Sequence, residues 1–226
     1  MSIESGIVID ENRHDRLGFD EAIFCAQKTI NQIEHIISLS EKADRRRLFT
    51  RLEELKFSAL ASKSRQLLNY DPISQIATLG EPLHRDIPFN IAIVSAGSSD
   101  ASVVAEAQQT LEYYGISCLI ITDVGVAGIW RLMDNIEKLK QMSVVIAVAG
   151  MDAALPTVLA GLIPASIIGV PTSTGYGIAK AGETALSAML ASCGPGLTVV
   201  NIDNGYGAAC AALRMVNSLS ISESKN

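Results

Sequence analysis

Cys193 lies in the run Ser192-Cys193-Gly194-Pro195-Gly196, a succession of helix-stop and turn residues. A thiol held in a tight turn serves as a nucleophile when ionised and as a small packing residue when not. Polar, glycine-broken segments stand on both sides of it, Thr172 to Gly177 before and Asp203-Asn204-Gly205-Tyr206-Gly207 after. Cys25 and Cys118 sit in strand-like runs and Cys210 in an Ala-rich helical one, where buried thiols act as small hydrophobes. None of the four cysteines forms a CxxC pair, which removes the usual zinc-knuckle and redox signatures.

Carboxylates supply the second chemistry. Asp123, Asp152 and Asp203 each stand in a glycine-punctuated loop after an apolar run, where an acid can hold a magnesium ion bridging phosphates, act as a base, or cap a helix. Asp152 would open a helix over 152–162. Ser98-Ser99-Asp100 opens another helix, and exposed N–H groups with the positive end of the helix dipole favour an anion there. Plain N-capping by Ser99 or Asp100 uses the same backbone. The spacing fits neither GxxxxGK[ST] nor GxGxxG, so P-loop and redox-dinucleotide chemistry are not indicated. Tyr176 and Tyr206, flanked by glycine, could stack on a ring, and Lys180 could neutralise an acid. The three histidines, His14, His35 and His84, all precede residue 87, so Ser–His hydrolase chemistry within the downstream domain is not expected.

The elements that must position these residues are legible from periodicity. Short apolar runs begin near Ile91, Ser117, Ser143, Ser166 and Leu197, with helical stretches between them. That alternation predicts βαβ units and a parallel sheet, in a three-layer flavodoxin-like or Rossmann-like α/β domain over 87–226. The loops after these runs would share one sheet edge, where open α/β folds bind ligands. The segment 172–191 reads as that edge loop followed by a helix of about four turns. Residues 1–86 read as a small α/β module: a strand at 21–25, then a helix capped by Thr29 and Gln32 with apolar Ile30, Ile33, Ile36 and Ile37 on one face. Arg45-Arg46-Arg47 reads as a solvated face, and a Pro-marked linker is expected at 81–88.

Composition bounds the class. Of 226 residues, 48% are hydrophobic and 19% charged, which indicates a globular protein with a substantial core. A net charge of −6 argues against a nucleic-acid surface. No apolar run approaches the roughly 20 residues of a membrane span, and the polar start does not read as a signal peptide, so a cytoplasmic location is expected.

The runs VSAGSSD (94–100), DVGVAGIWRL (123–132), VAGMDAALPTVLAGL (148–162), PTSTGYG (171–177), MLASCGPGLTVVNIDNGYGAA (189–209) and RLGFDEAIFCAQKT (16–29) resemble the LarB family. Those enzymes are pyridinium-3,5-biscarboxylic acid mononucleotide synthases of nickel-pincer cofactor biosynthesis, related in their larger domain to PurE, the aminoimidazole ribonucleotide carboxylase or mutase. The resemblance implies that C5 of the pyridinium ring of nicotinic acid adenine dinucleotide is carboxylated with CO2 or bicarbonate, and that the phosphoanhydride is hydrolysed to release AMP.

In that scheme Cys193 and Asp100 are catalytic, with Cys193 forming a covalent adduct on the ring, and Asp152 helps hold Mg2+. The family usually has Glu at Asp152. Substrate contacts are expected from Ser95, Gly97, Ser98, Ser99, Asp123, Gly125, Gly128, Gly150 and Met151, and from Thr172, Ser173, Tyr176, Lys180, Asp203 and Asn204. A homo-oligomer, an octamer as in the related family, is expected to bury the small-sided helices 185–191 and 208–212. PurE enzymes carry a catalytic histidine in Ala-His-Leu-Pro; here Ala154 stands in its place in Ala153-Ala154-Leu155-Pro156. The alternatives are the PurE-type reaction itself and a non-catalytic nucleotide-binding regulator.

Overall fold

The computed structural model describes residues 6–223, except 82, 84 and 86–89. The chain divides into two compact units, residues 1–83 and 84–226. Most of the expected linker, and His84, lie outside the described residues.

In the first unit a short helix, α1 (Arg13–Leu17), precedes strand β1 (Ala22–Phe24) and helix α2 (Ile30–Lys42). Thr29 and Gln32 form the expected reciprocal cap: the Thr29 hydroxyl accepts from the Gln32 N–H, and the Gln32 side chain accepts from the Thr29 N–H. Ile33, Ile36 and Ile37 then bury one face of α2. Strand β2 (Arg47–Thr50), helices α3 (Glu54–Ala59) and α4 (Ser62–Leu67), and strands β3 (Leu68–Asp71) and β4 (Ile76–Leu79) complete the unit. The sheet order is β1-β2-β4-β3, with β1 and β2 parallel and the other pairs antiparallel.

The arginine run is not a uniformly solvated face. Arg47 opens an inner strand and is 3% exposed, and its guanidinium donates to Glu11 at 2.5 Å and to the Ser40 hydroxyl at 3.1 Å. A buried guanidinium requires such partners.

The second unit carries the expected strands, β5 (Ile91–Ser95), β6 (Leu119–Ile121), β7 (Val144–Ala149), β8 (Ser166–Pro171) and β9 (Leu197–Val199), all parallel in the order β6-β5-β7-β8-β9. This is the flavodoxin-like 2-1-3-4-5 order, reversing direction between β5 and β7. β5 and β7 are buried throughout, as strands covered on both faces must be. The connecting helices are α5 (Ala101–Tyr113), α6 (Ile129–Met133), α7 (Ile136–Leu139), α8 (Ala154–Leu162), α9 (Glu183–Leu190) and α10 (Gly205–Glu223). Cys25 follows β1 and Cys118 precedes β6, each just outside the strand it was read into.

Two helices are shorter than their composition suggests. The four-turn helix expected before Cys193 is α9 alone, eight residues, because Lys180, Ala181 and Gly182 are all left-handed and cannot continue it. α8 starts at Ala154 rather than Asp152, since Ala153 is left-handed with φ of 49°. The small residues of α10 serve the chain's own packing: Ala208, Ala209 and Ala212 are fully buried, and a side chain at Gly205 would meet the Ala107 amide of α5 at 2.9 Å. Among the described residues no helix is long and apolar enough to cross a membrane.

Candidate functional site

The connections leaving β5, β6 and β7 converge at the point where strand order reverses. Between them lies a cavity of about 230 Å³, lined by Ala96, Gly97, Ser99 and Asp100, by Gly125 to Ala127, by Ala149 to Leu155, and by Thr174. Glycine lets the walls approach. A side chain at Gly125 would stand 2.7 Å from the Ala96 carbonyl, and one at Gly150 would stand 2.7 Å from the Thr172 hydroxyl. Backbone strain concentrates on this edge. Of the nine non-glycine residues with positive φ among the described residues, six (Asp123, Met151, Ala153, Lys180, Ala181 and Asp203) lie in connections leaving strands of this sheet. Each costs roughly 1–2 kcal/mol in isolation, and such clusters accompany functional sites.

Asp100 is 2% exposed and forms part of the cavity lining. Its Oδ2 accepts the Gly97 N–H at 3.0 Å and its Oδ1 accepts the Thr172 hydroxyl at 2.8 Å. Ser98 to Asp100 form a 3-10 turn running into α5, and Ser98 and Ser99 are exposed. First-turn amides have no intrahelical acceptor, so this end of the helix can receive an anion. Asp152 is exposed, lines the cavity, and makes no hydrogen bond or ion pair among the described residues. It does not cap α8, whose N-cap residue is Ala153.

Of the residues expected to contact substrate, Gly97, Ser99, Gly125, Gly150 and Met151 line the cavity with Asp100 and Asp152, and the others do not. Ser95 and Thr172 are buried, at 1% and 0% exposure, with their hydroxyls turned to the Gly97 carbonyl and to Asp100. Ser98 is exposed beside the lining. Asp123 is held by Arg131 at 2.5 Å, and Arg131 folds back over Gly128. Asp203 accepts the Ser173 N–H at 2.8 Å, tying two loops together. Asn204 caps α10 through the Gly207 N–H at 2.7 Å. Tyr176 is 82% exposed, and Lys180 lies exposed at the left-handed kink.

Cys193 is exposed and lies on the connection entering β9, so the cavity lining does not include it. Its turn is fixed by Ser192, whose hydroxyl accepts the Gly194 N–H at 3.0 Å and pairs with the Thr157 hydroxyl of α8 at 2.7 Å. Burial pushes the Cys25 and Cys118 thiols up to about 12, which keeps both neutral and unreactive. Sequence reasoning did not name Ala96, Val126, Ala127, Ala149, Ala153, Ala154, Leu155 or Thr174 among the expected contacts, and all of them line the cavity. The apolar seven carry no chemical signal, whereas Thr174 lies in the polar 172–177 loop that the sequence marks.

Magnesium fits this arrangement in one form. Among the described residues no three His, Cys, Asp or Glu side chains group as a metal cage. Mg2+ is commonly held by one or two carboxylates together with substrate phosphates, and Asp152 offers such a carboxylate at the cavity.

Residues 90–225 match the AIR carboxylase family, and residues 5–81 match the LarB/PurE-like N-terminal domain. An uncharacterized protein of Methanocaldococcus jannaschii is 38% identical over 218 residues, covering 93% of this chain and 84% of that protein. The N5-carboxyaminoimidazole ribonucleotide mutase of the same organism is 33% identical over 133 residues, 56% of this chain and 78% of the mutase. A crystal structure of a Treponema denticola PurE2 variant aligns with 59% of this chain and 94% of its own at 16% identity, with a TM-score of 0.43. The match at 90–225 spans more than half of the chain, which therefore belongs to the AIR carboxylase family, a family of carboxylase- and mutase-type enzymes, and carries a LarB/PurE-like domain ahead of the family domain.

Proposed function

We propose that this protein carboxylates C5 of the pyridinium ring of nicotinic acid adenine dinucleotide, using CO2 or bicarbonate, and hydrolyses the phosphoanhydride to release AMP. The observation that carries this reading is the cavity wall at the start of α8. Ala154 lines the cavity where PurE enzymes carry their proton-transferring histidine, and no histidine occurs anywhere in 87–226. The purine reaction thus lacks its proton carrier, whereas the pyridinium reaction needs a thiol and carboxylates, which this unit supplies.

A pyridinium ring is electron-poor, and its C5 does not attack CO2 directly. Addition of the Cys193 thiolate to a ring carbon breaks aromaticity and makes C5 enamine-like. C5 then bonds to CO2, and the Asp100 carboxylate takes the C5 proton as the C–H electron pair returns to the ring. The C–S bond breaks, the thiolate leaves, and the ring is aromatic again. The amides of Ser98 and Ser99 receive phosphate. Asp152 would hold Mg2+, which supplies charge neutralisation at the phosphoanhydride when bound.

Because Cys193 lies outside the cavity lining of its own chain, we propose a homo-oligomer, an octamer, in which one copy presents its thiol to the cavity of another. Exposed apolar side chains suit such contacts: Trp130 is 66% exposed, Ile178 76% and Leu190 68%. Light scattering at micromolar concentration is expected to give about 190 kDa, eight chains of 24.0 kDa. A 24.0 kDa species that still turns over would end the shared-site proposal.

Gly97 tests the anion cradle. Its φ of −133° and ψ of 162° suit any residue, and an added Cβ would meet only Asp100 Oδ2 at 3.7 Å and the Ser99 amide at 3.9 Å. Gly97→Ala should therefore melt with the wild type. Its methyl would stand over the amide that receives phosphate, and dinucleotide affinity should fall about tenfold, the equivalent of one charge-assisted hydrogen bond. Unchanged affinity by calorimetry would place the phosphate elsewhere.

The function itself is tested by incubating the protein with nicotinic acid adenine dinucleotide, bicarbonate and magnesium and weighing the products. Carboxylated mononucleotide and AMP are expected; a regulator would return the dinucleotide intact.

A further inference from the structure

We propose that Thr172 is a positioning residue whose buried hydroxyl holds the Asp100 carboxylate in the orientation that accepts the C5 proton. The proposal rests on the reading above, in which Asp100 takes that proton. Thr172 follows β8 and is 0% exposed, so it cannot touch a ligand. Its hydroxyl donates to Asp100 Oδ1 at 2.8 Å, across 72 positions of sequence. The bond joins the connections leaving two strands that are not neighbours, because β7 lies between β5 and β8 in the sheet.

Gly150, leaving β7, makes the bridge possible. A Cβ there would stand 2.7 Å from the Thr172 hydroxyl oxygen, so any side chain would press on the bond. The other carboxylate oxygen is fixed by the Gly97 N–H at 3.0 Å. Two donors from two different loops thus set the carboxylate plane. Each oxygen retains acceptor capacity beyond the bond it makes, and no Lys or Arg lines the cavity to take it up. A carboxylate at a cavity wall, oriented through both oxygens, is placed to receive a proton from whatever occupies the cavity. In the step itself the C5–H bond breaks, its electron pair forms a ring double bond, and the proton goes to Asp100, which later loses it to water.

Removing the hydroxyl should leave binding intact and impair proton transfer, since small misplacements of a reacting group cost up to about a hundredfold. Thr172→Val is expected to lower kcat for carboxylation about ten- to a hundredfold with KM within about twofold, while Thr172→Ser stays near wild type. With substrate deuterated at C5, the isotope effect on kcat should rise in Thr172→Val, because proton removal becomes slower than the steps around it. In an Asp100→Ala background the valine change should have no further effect. Thr172→Ala serves the same comparison should the valine variant not fold.

The proposal is overturned if Thr172→Val carboxylates at the wild-type rate, if the serine variant fails equally, or if the rate falls with no rise in the isotope effect. A wild-type protein that does not carboxylate the dinucleotide at all would instead sink the functional reading, and this proposal with it.

Discussion

Cys193→Ser is expected to fold as the wild type, bind the dinucleotide, and lose carboxylation by on the order of a thousandfold or more, the scale seen when a covalent nucleophile is removed. The fold should tolerate the change because the thiol packs against nothing that needs it. Cys193 is exposed, and its turn is held by the Ser192 hydroxyl, the Thr157 hydroxyl and the close approach of Gly194 to Ala160 rather than by sulfur. Serine keeps the size and loses the nucleophilicity. Bound dinucleotide should cover Cys193 or hold it as the ring adduct, so alkylation of Cys193 by iodoacetamide should slow with substrate present in the absence of bicarbonate. Cys25→Ser and Cys118→Ser place a hydroxyl in apolar surroundings and should reduce stability while leaving the chemistry in place. The proposed sharing of the site has a sharper consequence. Chains carrying Cys193→Ser co-assembled with chains carrying Asp100→Ala should recover part of the carboxylation that each variant loses alone, since some interfaces then pair an intact thiol with an intact cavity. Near wild-type carboxylation by Cys193→Ser would reduce the thiol to a surface residue.

The sheet was legible because burial on both faces leaves continuous apolar runs, and β5, β7 and β8 begin within a residue of where those runs predict. β6 is three residues long and starts two residues later than expected, since Ser117 and Cys118 belong to the approach rather than to the ladder. The Thr29–Gln32 cap was legible for a local reason: both partners lie within one helical turn. What sequence could not give was which polar residues face the ligand. Thr172 and Ser95 look like loop ligands by type, but each turns its hydroxyl inward to a partner set by tertiary packing. Asp203 and Asn204, both expected to contact substrate, accept the Ser173 and Gly207 amides. Cys193 stands just before the turn its glycines predict, yet it does not line the cavity of its own chain. Being close in the chain to the 172–177 and 203–207 loops does not bring it there, because those connections leave strands and its own enters one.

Asp152→Asn is expected to slow AMP release about a hundredfold, in the range found when a group stabilising transition-state charge is removed, while carboxylation through Cys193 persists. Structural loss should be small. Asp152 caps no helix, since α8 begins after a left-handed Ala153, and its carboxylate has no partner among the described residues. The change therefore avoids the roughly 1 kcal/mol of a lost N-cap. Met151 and Ala153 on either side both hold positive φ, 55° and 49°, a conformation that costs non-glycine residues energy and is retained where the backbone must be held in one place. Asn preserves shape and removes only the negative charge, so a fall in rate reports charge. The magnesium concentration for half-maximal AMP release should rise in Asp152→Asn, and Asp152→Glu, the acid the resembling family carries there, should restore much of the rate. Measuring AMP and carboxylated product in the same reaction separates the two activities: loss of AMP alone assigns Asp152 to the phosphoanhydride, loss of both places it under the whole ligand. AMP release unchanged in rate and in magnesium dependence would leave Asp152 a residue of the turn and nothing more.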